Sequence, residues 1–229
     1  MRAVETGAGS DAAYIAKGYE LKLLTDATTP FGRKVIVAAI ERSIPLEEIF
    51  VPLDGTGPLD AVNPLRQIPT LVLPDGRSIY DSDVIIDYLD TCHATEPLVP
   101  AADRTGVLTR MALGSGLIEA TLLRRIETVR VPQEQSAAFI AKMEQRIQRA
   151  LGALEAQIGS MASASDVVRA DQITAACALG YVDFRFTDAW RDSHRALAQW
   201  FAEMAARLSM IASAPTRTAP VARDRFQRS

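Results

Sequence analysis

The stretch NPLRQIPTLVLPDGRSIYDSDVIIDYLD, Asn63 to Asp90, decides the fold. It holds two short β-rich runs joined by Pro74-Asp75-Gly76, where proline presets φ and glycine accepts φ > 0, so the runs form a hairpin. Asp81 and Ser82 then precede an apolar-periodic run of Val84, Ile85, Ile86, Tyr88 and Leu89, which places both at a helix N-terminus. Pro69 stands at the entrance of the first strand, where it forfeits a ladder hydrogen bond unless the missing N–H is useful.

Upstream, YELKLLT alternates apolar and polar residues as a strand, and Pro30 is set to open a helix that runs to about Arg42. LEEIFVPL is a second strand. The order is βαβ, a loose segment, then ββα. Strands joined through a helix run parallel and the hairpin is antiparallel, which predicts a mixed four-stranded sheet with helices on its faces. Downstream the pattern becomes helical almost throughout, with helices over about Arg104–Val129, Pro132–Met161, Ala170–Tyr181 and His194–Leu208. The expected division is a leader over 1–18, an α/β domain over 19–93, a linker over 94–103, an all-helical domain over 104–214 and a tail over 215–229.

The chain has 229 residues, 48% of them apolar and 23% charged, with a net charge of -3. This balance and the lack of a Lys/Arg-rich run argue against nucleic acid as a partner. Apolar runs such as Val35 to Ile40 fall short of the roughly 20 residues that span a bilayer, so no membrane partner is expected. The N-terminal residues do not have the pattern of a signal peptide, and a cytoplasmic protein is expected. Cys92 and Cys177 lie in helical context without metal-ligand spacing, and His93 and His194 lack ligand-like neighbours, so no metal is expected. Trp190, Trp200, Phe201 and Tyr181 read as core, and Arg110, Glu119, Arg124 and Arg125 as solvated charges.

An α/β domain of this order followed by helices resembles the cytosolic glutathione S-transferase family, whose first domain is thioredoxin-like. The likeness covers roughly Tyr19 to Pro215 and is most specific over Asn63–Asp90, which is similar to the family's glutathione-binding segment. The runs GLIEATLLRRIETVR and ADQITAACALGYVDFRF look like its first long helix and its buried core helix. The resemblance implies a cis Pro69 that turns the Ile68 N–H and C=O toward the ligand's cysteine, like an added strand. It implies that the α-carboxylate of the γ-glutamyl group meets Ser82 and the helix N–H groups, with its ammonium on Asp81 or a neighbouring acid. Arg66 and Gln67 fall where the family meets the glycyl end, although Arg66 reads equally well as a solvated charge. Phe31 joins the same set. Asp171 resembles the family's core-helix capping aspartate, with Val168 in place of the usual hydroxyl partner, which implies a weak cap.

On the motif PFGRK, Thr29 matches the family's catalytic serine, and Thr28 beside it is a candidate helix cap and an alternative donor. Chemically, a hydroxyl at a helix mouth can be enough. Lowering a thiol pKa from about 8.5 by about two units needs roughly 2.7 kcal/mol. One charge-assisted hydrogen bond supplies about 1.5–3 kcal/mol and a helix N-terminus about 0.3–1. No cysteine adjoins Thr29, which disfavours disulfide reduction through an enzyme thiol. The implied activity is addition of glutathione, the co-substrate, to a small hydrophobic electrophile or reduction of a peroxide, by a homodimer. Ether cleavage or isomerisation with glutathione, or a non-catalytic carrier, are the alternatives.

Overall fold

The computed structural model describes Tyr14 and residues 19–53, 56–92, 96–161 and 167–215. Most of the expected leader and tail, and His93, lie outside these residues. The chain divides into two compact units, Met1–Leu98 with Ala212–Ser229, and Val99–Ile211. The return of the chain at Ala212 differs from the expectation, which carried the helical domain to residue 214.

The first unit has a four-stranded sheet in the order β2-β1-β3-β4, built from β1 (Leu21–Thr25), β2 (Leu46–Phe50), β3 (Thr70–Val72) and β4 (Ser78–Ile79). Strands β1 and β2 are parallel, whereas β1–β3 and β3–β4 are antiparallel. The sheet is therefore mixed, as the order of strand and helix signals requires. β1 is central: Leu21, Leu23 and Leu24 are buried, and only Lys22 reaches solvent, the mark of a strand covered on both faces. Helix α1 (Pro30–Glu41) begins at its proline, which has no N–H to lose, and packs against α3 (Ser82–Thr91). The expected loose segment contains α2 (Pro58–Val62), capped by the Asp60 carboxylate accepting from the Gly57 N–H at 2.6 Å. Leu24, Val51 and Leu59 form a small core into which Ile68 also packs.

The second unit is helical. α4 (Arg104–Thr128) packs along α5 (Ala137–Ala156) and α7 (Ala170–Arg185), with α6 (Ile158–Met161), α8 (Trp190–Ser193), α9 (Arg195–Ala205) and α10 (Leu208–Ala212) also among the described residues, the last residue of α10 belonging to the first unit. By length and composition alone, residues 101–128 could cross a membrane. Met111, Leu117 and Ile118 of this helix are buried, so it is a core helix. α5 starts five residues later than Pro132 implied, because Ser136 caps it by accepting from the Phe139 N–H at 3.2 Å. Trp190, Trp200, Phe201 and Tyr181 are buried as expected.

Two expectations fail in this unit. Arg110 is not a solvated charge: its side chain is 9% exposed and its guanidinium joins Asp171 at 2.5 Å and Asp103 at 2.7 Å. Asp171 is not the reciprocating cap residue either. The N-cap of α7 is Arg169, whose N–H donates to Gln172 at 2.7 Å, while the fully buried Asp171 anchors Arg110 and Arg169. Arg124 and Glu119 are paired with Glu144 and Arg146 on α5.

Candidate functional site

Strand register brings the expected site residues to one end of the first unit's sheet. Leu24 of β1 lies opposite Thr70 of β3, so the loop after Thr25 leaves the sheet where Ile68 and Pro69 enter it. Leu71 lies opposite Ile79, which brings Tyr80, Asp81 and Ser82 to the same end. Three segments distant in sequence thus converge without any of them belonging to a regular strand.

Thr29 is the N-cap of α1, with extended backbone and no side-chain capping bond. Its hydroxyl has no partner among the described residues. Thr28 differs: its hydroxyl donates to the Asp26 carboxylate at 3.0 Å, which commits its single proton. The same Asp26 oxygen accepts the Thr28 N–H at 2.5 Å and the Thr29 N–H at 2.8 Å. Thr28 is therefore not the cap of α1, and the Asx-type turn before the helix belongs to Asp26. Behind Thr29, a Cβ at Gly32 would stand 2.1 Å from Thr25 Oγ1 and 2.8 Å from the Thr29 methyl. Glycine there lets the helix start lie directly on the end of β1. Phe31 is half-buried, with the Lys34 ammonium 5.8 Å from its ring centre.

The Ile68–Pro69 peptide is cis, as the resemblance implies. The Ile68 N–H and C=O have no partner among the described residues, although its side chain is fixed in the core beneath. Gln67 is exposed, and its carbonyl accepts from Asn63 Nδ2 at 3.0 Å and Thr70 Oγ1 at 2.9 Å, which pins the loop before the proline. Arg66 adopts φ 51° and its guanidinium pairs with Asp60 at 2.5 Å, so it is directed at α2 in this structure.

At the start of α3, Asp81 caps the helix by accepting from the Asp83 N–H at 3.0 Å and, more weakly, from the Val84 N–H at 3.4 Å. Ser82 is 3% exposed, and its hydroxyl and N–H have no partner among the described residues. A hydroxyl and an N–H side by side at a helix N-terminus can both donate to a carboxylate. Lys34, fully buried, reaches from α1 to pair with Asp83 at 2.5 Å and so ties the two helix starts together. Periodicity gave no sign of Lys34 or Asp26: one is a cation on a buried helix face, and the other is visible only as an Asp two residues before a Thr. Among the described residues, no group of His, Cys, Asp and Glu could hold a metal ion.

Comparison with known proteins agrees with this geometry. The family model described as glutathione S-transferase, N-terminal domain, matches residues 28–92. A glutathione transferase family member from Pseudomonas fluorescens Pf-5, solved with bound glutathione, is 37% identical over 86% of this chain and 99% of its own, with a TM-score of 0.80. A glutathione S-transferase from Methylobacillus flagellatus KT, also with glutathione bound, is 33% identical over 86% of this chain and 100% of its own, with a TM-score of 0.79. The uncharacterized GST-like protein YibF of Escherichia coli K12 is 29% identical over 168 residues, 72% of this chain and 83% of its own.

Proposed function

Because the chain belongs to the glutathione S-transferase family, we propose that it binds glutathione at the shared end of the sheet and presents the sulfur to a second substrate as a thiolate. Ile68 pairs with the peptide of the ligand's cysteine through its N–H and C=O. The Ser82 hydroxyl and the first N–H of α3 donate to the γ-glutamyl carboxylate, and the Asp81 oxygen not used in capping takes the ammonium. Gln67 lines the path of the glycyl end, and Arg66 reaches it only after leaving Asp60. Phe31 packs beside the sulfur.

The observation that carries this reading is the Thr29 hydroxyl, a half-buried donor at a helix mouth with no acceptor among the described residues. Placed against a sulfur, it donates to the thiolate more strongly than to the neutral thiol. The proton leaves to solvent and the anion is retained. No base is required, and Thr28 is a poorer candidate because its proton is already with Asp26. The thiolate then adds to a small hydrophobic electrophile, or attacks a peroxide oxygen, breaking the O–O bond to release an alcohol or water and leaving a glutathione sulfenic acid that a second glutathione converts to the disulfide and water. The relative from Pseudomonas fluorescens has also been solved with S-(propanoic acid)-glutathione, a thioether of the kind such an addition yields. Family membership further supports a homodimer in the cytoplasm, to be checked by sedimentation; a stable species of 24.8 kDa would contradict the dimer.

Thr29→Val tests the assignment. It keeps the shape and removes a donor worth about 1.5–3 kcal/mol, which raises the bound thiol's pKa by about one to two units. Conjugation at about pH 6.5 falls tenfold or more and recovers in part as pH rises, with glutathione affinity kept within about tenfold. Unchanged turnover together with unchanged thiolate absorbance would remove Thr29 from the role.

A further inference from the structure

The mouth of α1 already holds an anion. Asp26 Oδ1 is fixed by the Thr28 N–H, the Thr29 N–H and the Thr28 hydroxyl, so the carboxylate cannot swing away without breaking all of these bonds. It lies 2.8 Å from the nitrogen of the residue whose hydroxyl faces the sulfur. Adding the span of one threonine and one hydrogen bond puts it roughly 6–8 Å from a bound thiolate. Asp26 and Thr29 line one open recess with Arg33 of α1 and Glu48 of β2. Arg33 donates to Ser213 at 3.4 Å and supplies one positive charge against the two carboxylates. Beyond it, the Lys34 cation is matched by Asp83. Asp26 is thus a carboxylate held in place beside the seat of the sulfur.

We infer that Asp26 sets the working pH of this site, opposing the Thr29 donor and holding the bound thiol closer to its value in solution than the hydroxyl alone would. This rests on the reading that Thr29 holds a glutathione thiolate. A like charge at that range in a half-exposed site shifts a pKa by about half a unit to one unit. The helix N-terminus therefore contributes less to the thiolate than a helix mouth without a carboxylate would, and activity is displaced toward alkaline pH. Asp26 is a positioning and tuning residue: it touches neither substrate nor sulfur.

Asp26→Asn separates charge from geometry, because the amide oxygen can accept the same N–H groups. The thiolate absorbance of the glutathione complex, titrated with pH, is expected to show a midpoint about 0.5–1 unit lower than in the unaltered protein. One unit below the original midpoint, the thiolate fraction and the conjugation rate rise about three- to fivefold, with affinity by calorimetry unchanged within about threefold. A merely structural role predicts the opposite pair, weaker binding with a raised midpoint. Asp26→Ser, which also accepts from these N–H groups, provides the same reading should the amide variant fold poorly. An unmoved or raised midpoint in both variants, with Thr29→Val still raising it, overturns the role of Asp26 alone. If the unaltered protein binds no glutathione, the functional reading falls and this inference with it.

Discussion

Replacing Arg110 with methionine isolates the energetics of the helical unit. The guanidinium joins a fully buried carboxylate, Asp171 at 2.5 Å, to a more exposed one, Asp103 at 2.7 Å. Methionine fills much of the same volume but leaves Asp171 with only Arg169 at 3.2 Å and the Gln172 N–H at 3.0 Å. Removing one partner of a buried pair costs about 3–5 kcal/mol when the other charge is stranded; the surviving contacts reduce that here to about 2–4. Arg169→Met leaves the shorter Arg110–Asp171 pair in place and should cost about 1–2 kcal/mol. Asp103, with a side chain 56% exposed, should cost the least of the three when changed to alanine, because solvent screens its half of the bridge. Both tryptophans of the chain, Trp190 and Trp200, lie buried in this unit, so their fluorescence during urea unfolding reports on it selectively. The ranking Arg110→Met above Arg169→Met above Asp103→Ala is the test. An Arg110→Met variant within about 1 kcal/mol of the parent, or an Asp103→Ala as damaging, would refute the view that the buried carboxylate dominates.

Ser82→Ala should weaken glutathione binding by about 1–3 kcal/mol, the cost of leaving a ligand charge short of a donor, and calorimetry with unchanged affinity would remove Ser82 from the site. Gly32→Ala should impair thiolate formation despite alanine's better helix propensity, because its Cβ would drive into Thr25 Oγ1 and the Thr29 methyl; a Thr25→Ala background should restore part of the loss, and a silent Gly32→Ala would contradict the packing. The Arg77 N–H at 2.9 Å and its guanidinium at 2.7 Å hold the Asp75 carboxyl below the usual range. Its contribution to stability is thus present above the unfolded value of 3.8 and lost as pH falls through the lower folded value. NMR titration should find Asp75 below that value, and Arg77→Ala, which removes the guanidinium but keeps the backbone N–H, should return it only part of the way.

What the sequence made legible was whatever depends on residues with strong local preferences. Pro30, the Pro74-Asp75-Gly76 turn and the Asp81 cap each restrict the chain on their own, and each sits where its chemistry predicts. The site residues at the sheet end follow from those restraints, because once the hairpin and the helix starts are placed the register does the rest. Less visible was anything decided by a partner distant in sequence. Arg110 looks like any helix-surface cation until Asp171, 61 positions later, is brought against it. Ser136 was overshadowed as the start of α5 by the nearer Pro132, and the five-residue α2 is too short for periodicity to register. Asp26 is an intermediate case: its Asx turn is a local signal, but its significance depends on the sulfur that Thr29 is proposed to hold.

The return of the chain to the first unit at Ala212 has a bearing on how the protein can be divided. Unit 99–211 is, in connectivity, an insertion with two attachments and not an appended module. A fragment ending at Leu98 would retain every proposed glutathione contact but lose Ser213, the neighbour of Arg33 in the recess beside Thr29. Severing the chain once between the units would likewise leave the C-terminal piece carrying Ser213 of the first unit. Recombination of this α/β half with another helical half therefore has to carry two junctions, and the second lies next to the proposed chemistry.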